Sequence, residues 1–291
     1  MNTSPLRIAV FGAGAIGTAF AFQLAHAGHA VTVVARGARL AQLRRDDGIV
    51  TRDGRRAAVV VADGLDEDVA YDLLLVTVLA PQVAAVLPQF VASRAKRVMF
   101  MFNTFEPVAP LRDAVGADRF TFGFPGGVFS LIKDGRIDHV VRSGTTVVDD
   151  EHAALFSAAG IPTVTTPDMH AWLRSHAALV VGMMSLGVRV STRGSGATRA
   201  EARDAAVATK QAFALVRRLG HPLLPSAIAV LATLPTSLLT FTLWALSRTK
   251  ILIDLGALGP HEPRMLIDQM LAASSSSSLS SSVAALARIR P

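Results

Sequence analysis

The first 36 residues contain the feature that most restricts the fold of this chain. Residues 8–11 are a short apolar run of the kind that forms a buried strand, and residues 12–17 follow with the sequence GAGAIG, in the spacing G-x-G-x-x-G. Good helix formers then continue to Gly28, and residues 31–35 are a second apolar run. Strand, glycine-rich turn, helix and strand in this order predict a βαβ unit.

The glycine spacing of this unit predicts a binding site for a dinucleotide. Gly12 allows the tight turn, Gly14 lets the backbone approach a pyrophosphate, and Gly17 lets the helix pack closely on the strand. The N-terminus of the helix offers unpaired N–H groups and a partial positive charge to the phosphates. A glycine-rich turn that arose by chance is the alternative. The residues predicted to contact the cofactor in this turn are Gly12, Ala13, Gly14, Ala15, Ile16 and Gly17.

The residue that ends the second strand refines the cofactor. An NAD site usually carries Asp or Glu there, which accepts a hydrogen bond from the ribose 2′-hydroxyl. This chain has Arg36, with Arg39 soon after it and no carboxylate before Asp46. Because a guanidinium can grip a phosphate with two parallel hydrogen bonds, we predict NADP(H) as the cofactor, with Arg36 on its 2′-phosphate. The alternative is that both arginines lie on the solvated start of a helix.

The composition excludes several classes of function. The chain has no cysteine, which rules out disulfides, thiol catalysis and zinc–cysteine sites, and we predict no metal site. Its 29 Lys and Arg exceed its 22 Asp and Glu, and the net charge of +7 favours anionic ligands. The basic residues are scattered and only one Tyr and two Trp can stack on bases, so we expect no nucleic-acid partner. The first five residues are too short and polar for a signal peptide, so we expect a cytoplasmic protein.

The order of predicted elements indicates two domains. Strands and helices alternate up to about residue 165, and only helices are predicted beyond it, starting at the turn of residues 166–168 (Thr-Pro-Asp). We therefore predict an α/β Rossmann domain over residues 1–165 and an all-α domain over residues 166–291. Residues 49–51 and 56–62 are expected to form a hairpin around Asp53-Gly54 as an addition to the parallel sheet, and residues 136–141 and 145–148 are expected to pair around residues 142–144.

Two stretches of the second domain have unusual composition. Residues 223–246 contain no charged residue and are long enough to span a bilayer, but Pro225 and Pro235 interrupt them. We expect a buried helical hairpin that can lie at the contact of a homodimer, and membrane contact is the alternative. Residues 274–282 are nearly all serine and are expected to be mobile.

The chain resembles the ketopantoate reductase (2-dehydropantoate 2-reductase) family. The residues that carry the resemblance are the hexapeptide of residues 12–17, the strand that ends in Arg36, the sequence DLLLVTVLAPQ of residues 72–82, Asn103 after the run MFMF and, more weakly, Trp172. The resemblance covers residues 6–130 well and the rest loosely. It implies an N-terminal domain that binds NADPH, a helical domain that closes over it, and reduction of a 2-oxo acid to a 2-hydroxy acid, a step of pantothenate biosynthesis when ketopantoate is the substrate.

The functional residues of that family do not all carry over. The resemblance implies that Asn103 lies near the nicotinamide and the substrate, although an asparagine that satisfies a local turn is the alternative. The lysine that the family usually has after the strand matching residues 72–78 is here Leu79. Its catalytic lysine, two residues past the tryptophan, is here Arg174, and an asparagine that holds the substrate is here Ala178. The first domain is therefore typical of the family, and the second departs from it.

The exchange of lysine for arginine changes the chemistry that is possible. Reduction of a ketone leaves an alkoxide that must be protonated, and an arginine stays protonated in proteins. His170 and Arg174 share one helix face, and we predict that Arg174 binds a carboxylate while His170 serves as the acid. The alternative is that both lie on a solvated face. His176 is expected to be a packed or surface residue, and a non-catalytic NADP(H)-binding sensor or regulator is the rival function.

Overall fold

A computed structural model describes residues 4–141, 145–149, 152–275 and 283–291. The chain divides into two compact units. The first consists of Met1–Asn103 and Val108–Met169, and the second of Thr104–Pro107 and His170–Pro291.

The first unit contains the strands of the molecule. In chain order they are β1 (Arg7–Phe11), β2 (Ala30–Val34), β3 (Ile49–Val50), β4 (Arg56–Ala57), β5 (Val60–Ala62), β6 (Leu73–Val76), β7 (Val98–Met101), β8 (Phe120–Phe124), β9 (Val128–Lys133), β10 (Arg136–Val141), β11 (Thr146–Val148) and β12 (Thr163–Thr165). Eight of them form one sheet in the order β12-β11-β8-β7-β6-β1-β2-β5. Its neighbouring strands are parallel, except that β11 runs antiparallel to β8.

Helices cover this sheet and bury its central strands. They are α1 (Ala15–His26), α2 (Gly37–Arg45), α3 (Ala80–Ala92), α4 (Ala109–Val115) and α5 (Ala153–Ala158). Every residue of β6 and β7 is buried, which explains why both strands are continuous apolar runs, as expected for a parallel sheet covered on both faces. The predicted Rossmann-type α/β domain is confirmed.

The order of the strands reverses beside β1. This strand lies between β2, which follows it in the chain, and β6 of the other half of the sheet. In sheets of this kind, ligands bind beyond the carboxyl ends of the strands at the point of reversal. The glycine-rich turn leaves β1 at that end.

The hairpin predicted around residues 142–144 is wrong in its pairing. Strand β10 pairs with β9 around the turn Asp134-Gly135, whose φ angles are +49° and +74°, and β11 pairs with β8 and β12 in the main sheet. Residues 142–144 themselves lie outside the described part of the chain. The segment before β9 contains Pro125 and two glycines, which is typical of a loop, whereas the hairpin signal is the Asp-Gly pair of residues 134–135.

The hairpin around Asp53-Gly54 forms, but with shorter strands than expected. The predicted second strand, residues 56–62, divides into two parts. Its first part, β4, pairs with β3, and its last part, β5, joins the edge of the main sheet beside β2. Residues 60–62 are therefore part of the parallel sheet, although the sequence predicts them as part of a separate hairpin.

The second unit is helical throughout its described residues. Its helices are α6 (Met169–Arg193), α7 (Arg199–Arg218), α8 (Ser226–Leu231), α9 (Thr236–Leu246), α10 (Lys250–Ala257), α11 (His261–Ser275) and α12 (Ala284–Ile289). Thr198 caps α7 by accepting from the backbone N–H of Glu201, whose side chain closes the capping box. A Cβ at Gly256 would collide with the carbonyl oxygen of Gly187, so α6 and α10 pack backbone against backbone.

The uncharged stretch of residues 223–246 is not one helix. Pro225 and Pro235 precede α8 and α9, and α9 leaves Phe241 62% exposed, so the expected burial is only partly present. Among the described helices, α6 alone is long and apolar enough to cross a membrane, and 67% of its most apolar window is buried within the protein. Of the serine-rich segment, Ser274 and Ser275 end α11, and residues 276–282 lie outside the described part.

Candidate active site

The turn between β1 and α1 has the geometry that its glycines predict. Gly12 has a φ of +112°, which a residue with a side chain rarely adopts. Its carbonyl oxygen accepts a hydrogen bond of 2.8 Å from the hydroxyl of Thr77, which follows β6. A Cβ at Gly17 would collide with this carbonyl oxygen and with the same hydroxyl. The first turn of α1 therefore packs directly on the turn that precedes it.

Gly14 lies away from the contacts that crowd Gly12 and Gly17. A Cβ placed on Gly14 would meet no atom within 4 Å, so this side of the turn is open. Gly14 is also the N-cap of α1, a helix of 12 residues with no acidic residue in its first turn. The partial positive charge of the helix N-terminus is thus left for an anion.

Arg36, which we predict to bind the 2′-phosphate, lies just beyond β2. It is exposed and is the N-cap of α2, directly beyond the second strand. Its side chain makes no hydrogen bond or ion pair with any residue that the structure describes. A guanidinium in this state can bind an incoming phosphate without first breaking an internal contact.

Arg39, which the sequence grouped with Arg36, points elsewhere. It is half-buried, and its guanidinium donates to the carbonyl oxygens of Ala13 and Gly135 and to the hydroxyl of Thr18. Burial lowers the pKa of Arg39 from its ordinary value, and the nearby charge of Asp46 opposes this. The residue is therefore attached to the glycine-rich turn and is not on the solvated start of α2.

Asn103 lies at the carboxyl end of β7, as predicted. Phe11, Val76 and Phe100 are in register across β1, β6 and β7, so the residues three positions later, which include Asn103, leave the sheet at the same edge as the glycine-rich turn. Asn103 is 8% exposed. Asn103 belongs to the first unit, and Thr104, the next residue, belongs to the second.

Arg174 is buried in the second unit. It is 6% exposed, its Nε donates to the carbonyl oxygen of Phe105 at 3.1 Å, and its guanidinium carbon lies 5.3 Å from the centre of the Phe105 ring. Burial lowers the pKa of this guanidinium. Within the described residues no carboxylate lies within ion-pair distance of Arg174, and its two Nη groups have no hydrogen-bond acceptor.

Three histidines accompany Arg174. His170, one helical turn before it on α6, is half-buried and meets the ring of His221 edge-on at 4.7 Å between ring centres. His176 stacks on Trp172 at 5.0 Å with the two rings 7° from parallel. Burial lowers the pKa of His176 to about 4, so at neutral pH it is an uncharged packed residue, one of the two expected possibilities.

A comparison with protein families identifies the chain. The model for "Ketopantoate reductase PanE/ApbA" matches residues 8–151, a range that contains the glycine-rich turn, Arg36 and Asn103. The chain belongs to the ketopantoate reductase family. No curated protein sequence matches it significantly.

Several solved structures share the fold over nearly the whole chain. A PanE/ApbA family ketopantoate reductase from Ralstonia eutropha JMP134 is 20% identical with a TM-score of 0.74, and the match covers 98% of this chain and 97% of that one. A 2-dehydropantoate 2-reductase from Geobacter metallireducens GS-15 is 18% identical with a TM-score of 0.75 and 98% coverage of both. D-mandelate dehydrogenase with NADH is 13% identical with a TM-score of 0.73, covering 98% and 97%.

Two positions at which the chain departs from its family lie in environments that differ from each other. Leu79, in place of a lysine, is the N-cap of α3 and is 58% exposed. Ala178, in place of an asparagine, is fully buried in an apolar cluster with Phe105. Gln269 of α11, which the sequence gave no reason to select, accepts a 2.8 Å hydrogen bond from the N–H of Phe105. It holds the segment that Arg174 contacts.

Family membership and fold define the class of reaction. The protein is an oxidoreductase of the ketopantoate reductase type, with a nicotinamide cofactor and a 2-oxo acid type of substrate. Among the residues that the structure describes, no group of three or more His, Asp or Glu side chains is arranged to hold a metal ion.

Proposed function

We propose that the protein reduces the carbonyl group of a 2-oxo acid with NADPH, and that Arg174 binds the carboxylate of that substrate. The observation that carries this proposal is a buried guanidinium with no protein carboxylate beside it in the described part of the chain. Burying such a charge is costly unless an anion pairs with it. A 2-oxo acid supplies that anion next to the carbonyl group that is reduced.

The geometry of the guanidinium supports a carboxylate ligand. Its Nε is occupied by the carbonyl oxygen of Phe105, which fixes the plane of the group, and its Nη groups remain available. Two donors of one guanidinium match the two oxygens of one carboxylate. Arg174 would therefore orient the substrate, and the Phe105 ring beneath the guanidinium would keep water from its face.

The first unit holds the cofactor in this proposal. The turn of residues 12–17 and the N-terminus of α1 would bind the pyrophosphate, and Arg36 the 2′-phosphate. Asn103 would orient the nicotinamide or the substrate from the carboxyl end of β7. When bound, the nicotinamide supplies the hydride for the carbonyl carbon. The free side chain of Arg36 supports NADPH, although D-mandelate dehydrogenase, a structural neighbour, was solved with NADH.

Ketopantoate itself is not the substrate that the second unit favours. Ala178 offers a methyl group where the family has an amide, so this position supplies no partner for a hydroxyl group of the substrate. A structural neighbour, D-mandelate dehydrogenase, was solved with NADH and anilino(oxo)acetate, and its name refers to an aromatic 2-hydroxy acid. We propose a 2-oxo acid with an apolar side chain.

The proton for the alkoxide must come from another group than Arg174. An arginine remains protonated through the reaction, so it can stabilise the alkoxide but not neutralise it by proton transfer. His170 lies one turn away on α6, and imidazole is the side chain most often used for this role. We propose His170 as the donor.

Loss of the lysine also supports the rival function, a sensor that binds NADP(H) without chemistry. An assay can distinguish the reductase from the sensor. It follows the loss of NADPH absorbance with a panel of 2-oxo acids that includes ketopantoate, for the wild type and for Arg174→Lys. Turnover of an apolar 2-oxo acid by the wild type supports the reductase. NADPH binding without turnover in the wild type, with a gain of ketopantoate reduction in Arg174→Lys, would support the sensor.

A further inference from the structure

The side chain of Arg39 joins three separate segments of the first unit. Its Nε lies 3.3 Å from the carbonyl oxygen of Ala13 in the glycine-rich turn, and one Nη lies 3.3 Å from the hydroxyl of Thr18 in α1. The other Nη lies 2.6 Å from the carbonyl oxygen of Gly135, in the turn between β9 and β10. Nothing in the family resemblance or the proposed mechanism uses this residue.

Two of these contacts converge on one peptide group. The hydroxyl of Thr18 also donates to the carbonyl oxygen of Ala13, at 3.1 Å, so two side chains hold the same oxygen. Thr18 is fully buried and Arg39 is half-buried, and burial strengthens hydrogen bonds of this kind. The orientation of the peptide between Ala13 and Gly14 is therefore fixed from one side.

Fixing that carbonyl also directs an N–H group. In a trans peptide the C=O and N–H bonds point in opposite directions within one plane. With the Ala13 oxygen held toward Arg39 and Thr18, the N–H of Gly14 points away from them. This N–H belongs to the N-terminus of α1, on the open side of the turn at Gly14.

We propose that Arg39 is a positioning residue for the cofactor, which fixes the Ala13–Gly14 peptide so that its N–H is ready to bind the pyrophosphate. The inference rests on the dinucleotide binding in the proposed function. Its contacts need a planar group with several fixed donors. A lysine has one compact ammonium group and cannot reproduce them.

The test compares Arg39→Lys with Arg44→Lys, a matched change on the same helix at an arginine whose side chain, among the described residues, pairs only with the exposed Asp63. Dissociation constants for NADPH and NADH are measured from nucleotide fluorescence, and that for adenosine 2′-monophosphate, which has no pyrophosphate, by calorimetry. Arg39→Lys should weaken NADPH and NADH by the same factor, about tenfold. Arg44→Lys should change neither, and the affinity for adenosine 2′-monophosphate should stay the same in both variants.

Several results would overturn the inference. Unchanged affinities in Arg39→Lys would do so, and a loss for NADPH alone would assign Arg39 to the 2′-phosphate. An equal loss for adenosine 2′-monophosphate would indicate general damage to the unit. A wild type that binds neither dinucleotide would overturn the proposed function and this inference together. If Arg39→Lys does not fold, Thr18→Val removes the second contact to the same oxygen and should show the same parallel loss, and unchanged affinities there would also overturn it.

Discussion

The glycine-rich turn of the first unit and helix α6 of the second differ in what determines their residues. At the turn, backbone geometry decides: Gly12 has a positive φ, and Gly17 has no room for a Cβ. On α6, side-chain chemistry decides, and Arg174 and Ala178 replace the lysine and asparagine of the family. A dinucleotide demands the same backbone from any chain that binds it this way, whereas the residues around a substrate change with the substrate.

The largest expected effect is at Arg174. Arg174→Met keeps an unbranched side chain that can replace the apolar stem of the arginine but removes the groups that bind the carboxylate, and loss of one partner of a buried charge pair costs several kcal/mol. We expect kcat/KM for the preferred 2-oxo acid to fall about a thousandfold and the dissociation constant of NADPH to stay unchanged. A parallel loss of NADPH affinity would contradict the assignment of Arg174 to the substrate.

The next largest effect concerns the backbone of the glycine-rich turn. Gly17→Ala places a Cβ against the carbonyl oxygen of Gly12 and the hydroxyl of Thr77, and overpacking of this kind costs about 3 kcal/mol of the free energy of unfolding. Denaturant unfolding without nucleotide should show this loss. Gly14→Ala is the matched control, because its Cβ meets open space: it should unfold like the wild type and yet bind NADPH more weakly. Equal stability of the two variants would contradict the geometry of the turn.

A third effect depends on pH. The pKa of His176 is lowered by burial from 6.5 to about 4, so between these pH values the unfolded chain binds a proton that the folded chain does not. This residue therefore reduces stability as pH falls from about 6.5 to 4 and contributes no pH dependence above that range. Because His176 is half-buried by its exposed fraction, we expect about 2 kcal/mol over this range. Unfolding of His176→Gln should lack this decline, and His261→Gln, at an exposed position, should retain it.

The smallest effect concerns the choice of cofactor. Arg36→Gln removes a charge that we propose for the 2′-phosphate, and one charge-assisted contact is worth about tenfold in affinity. NADPH should therefore bind about tenfold more weakly while NADH is unaffected. An unchanged ratio of the two affinities would contradict the role of Arg36 and leave the dinucleotide site itself intact.

The sequence predicts those parts of the molecule whose signals are local. The βαβ unit follows from apolar runs and glycine spacing within 36 residues, and Asn103 was placed at a strand end because a buried run precedes it. The helical second unit followed from the absence of strand patterns. Strand β9 is an exception, because its local signal, the Asp134-Gly135 turn, follows a proline and two glycines that are typical of a loop.

Other features of the molecule depend on contacts between residues that are far apart in the sequence, and no local sequence pattern predicts these contacts. Arg39 reaches Gly135, 96 positions away, and Arg174 reaches Phe105, 69 positions away. Both arginines were visible in the sequence, but the direction of each side chain follows from tertiary packing. For this reason Arg39 was grouped with Arg36, and the burial of Arg174 could not be distinguished from a place on a solvated helix face.

The most direct test of the account is whether Arg174 recognises a carboxylate. The measurement is kcat/KM with NADPH for an apolar 2-oxo acid and for its methyl ester, which keeps the ketone but has no charge, in the wild type and in Arg174→Met. We expect the wild type to prefer the acid at least about a hundredfold and the variant to show no preference. A wild type that reduces both equally, or a variant that keeps the preference, would contradict the claim that this buried guanidinium binds the substrate.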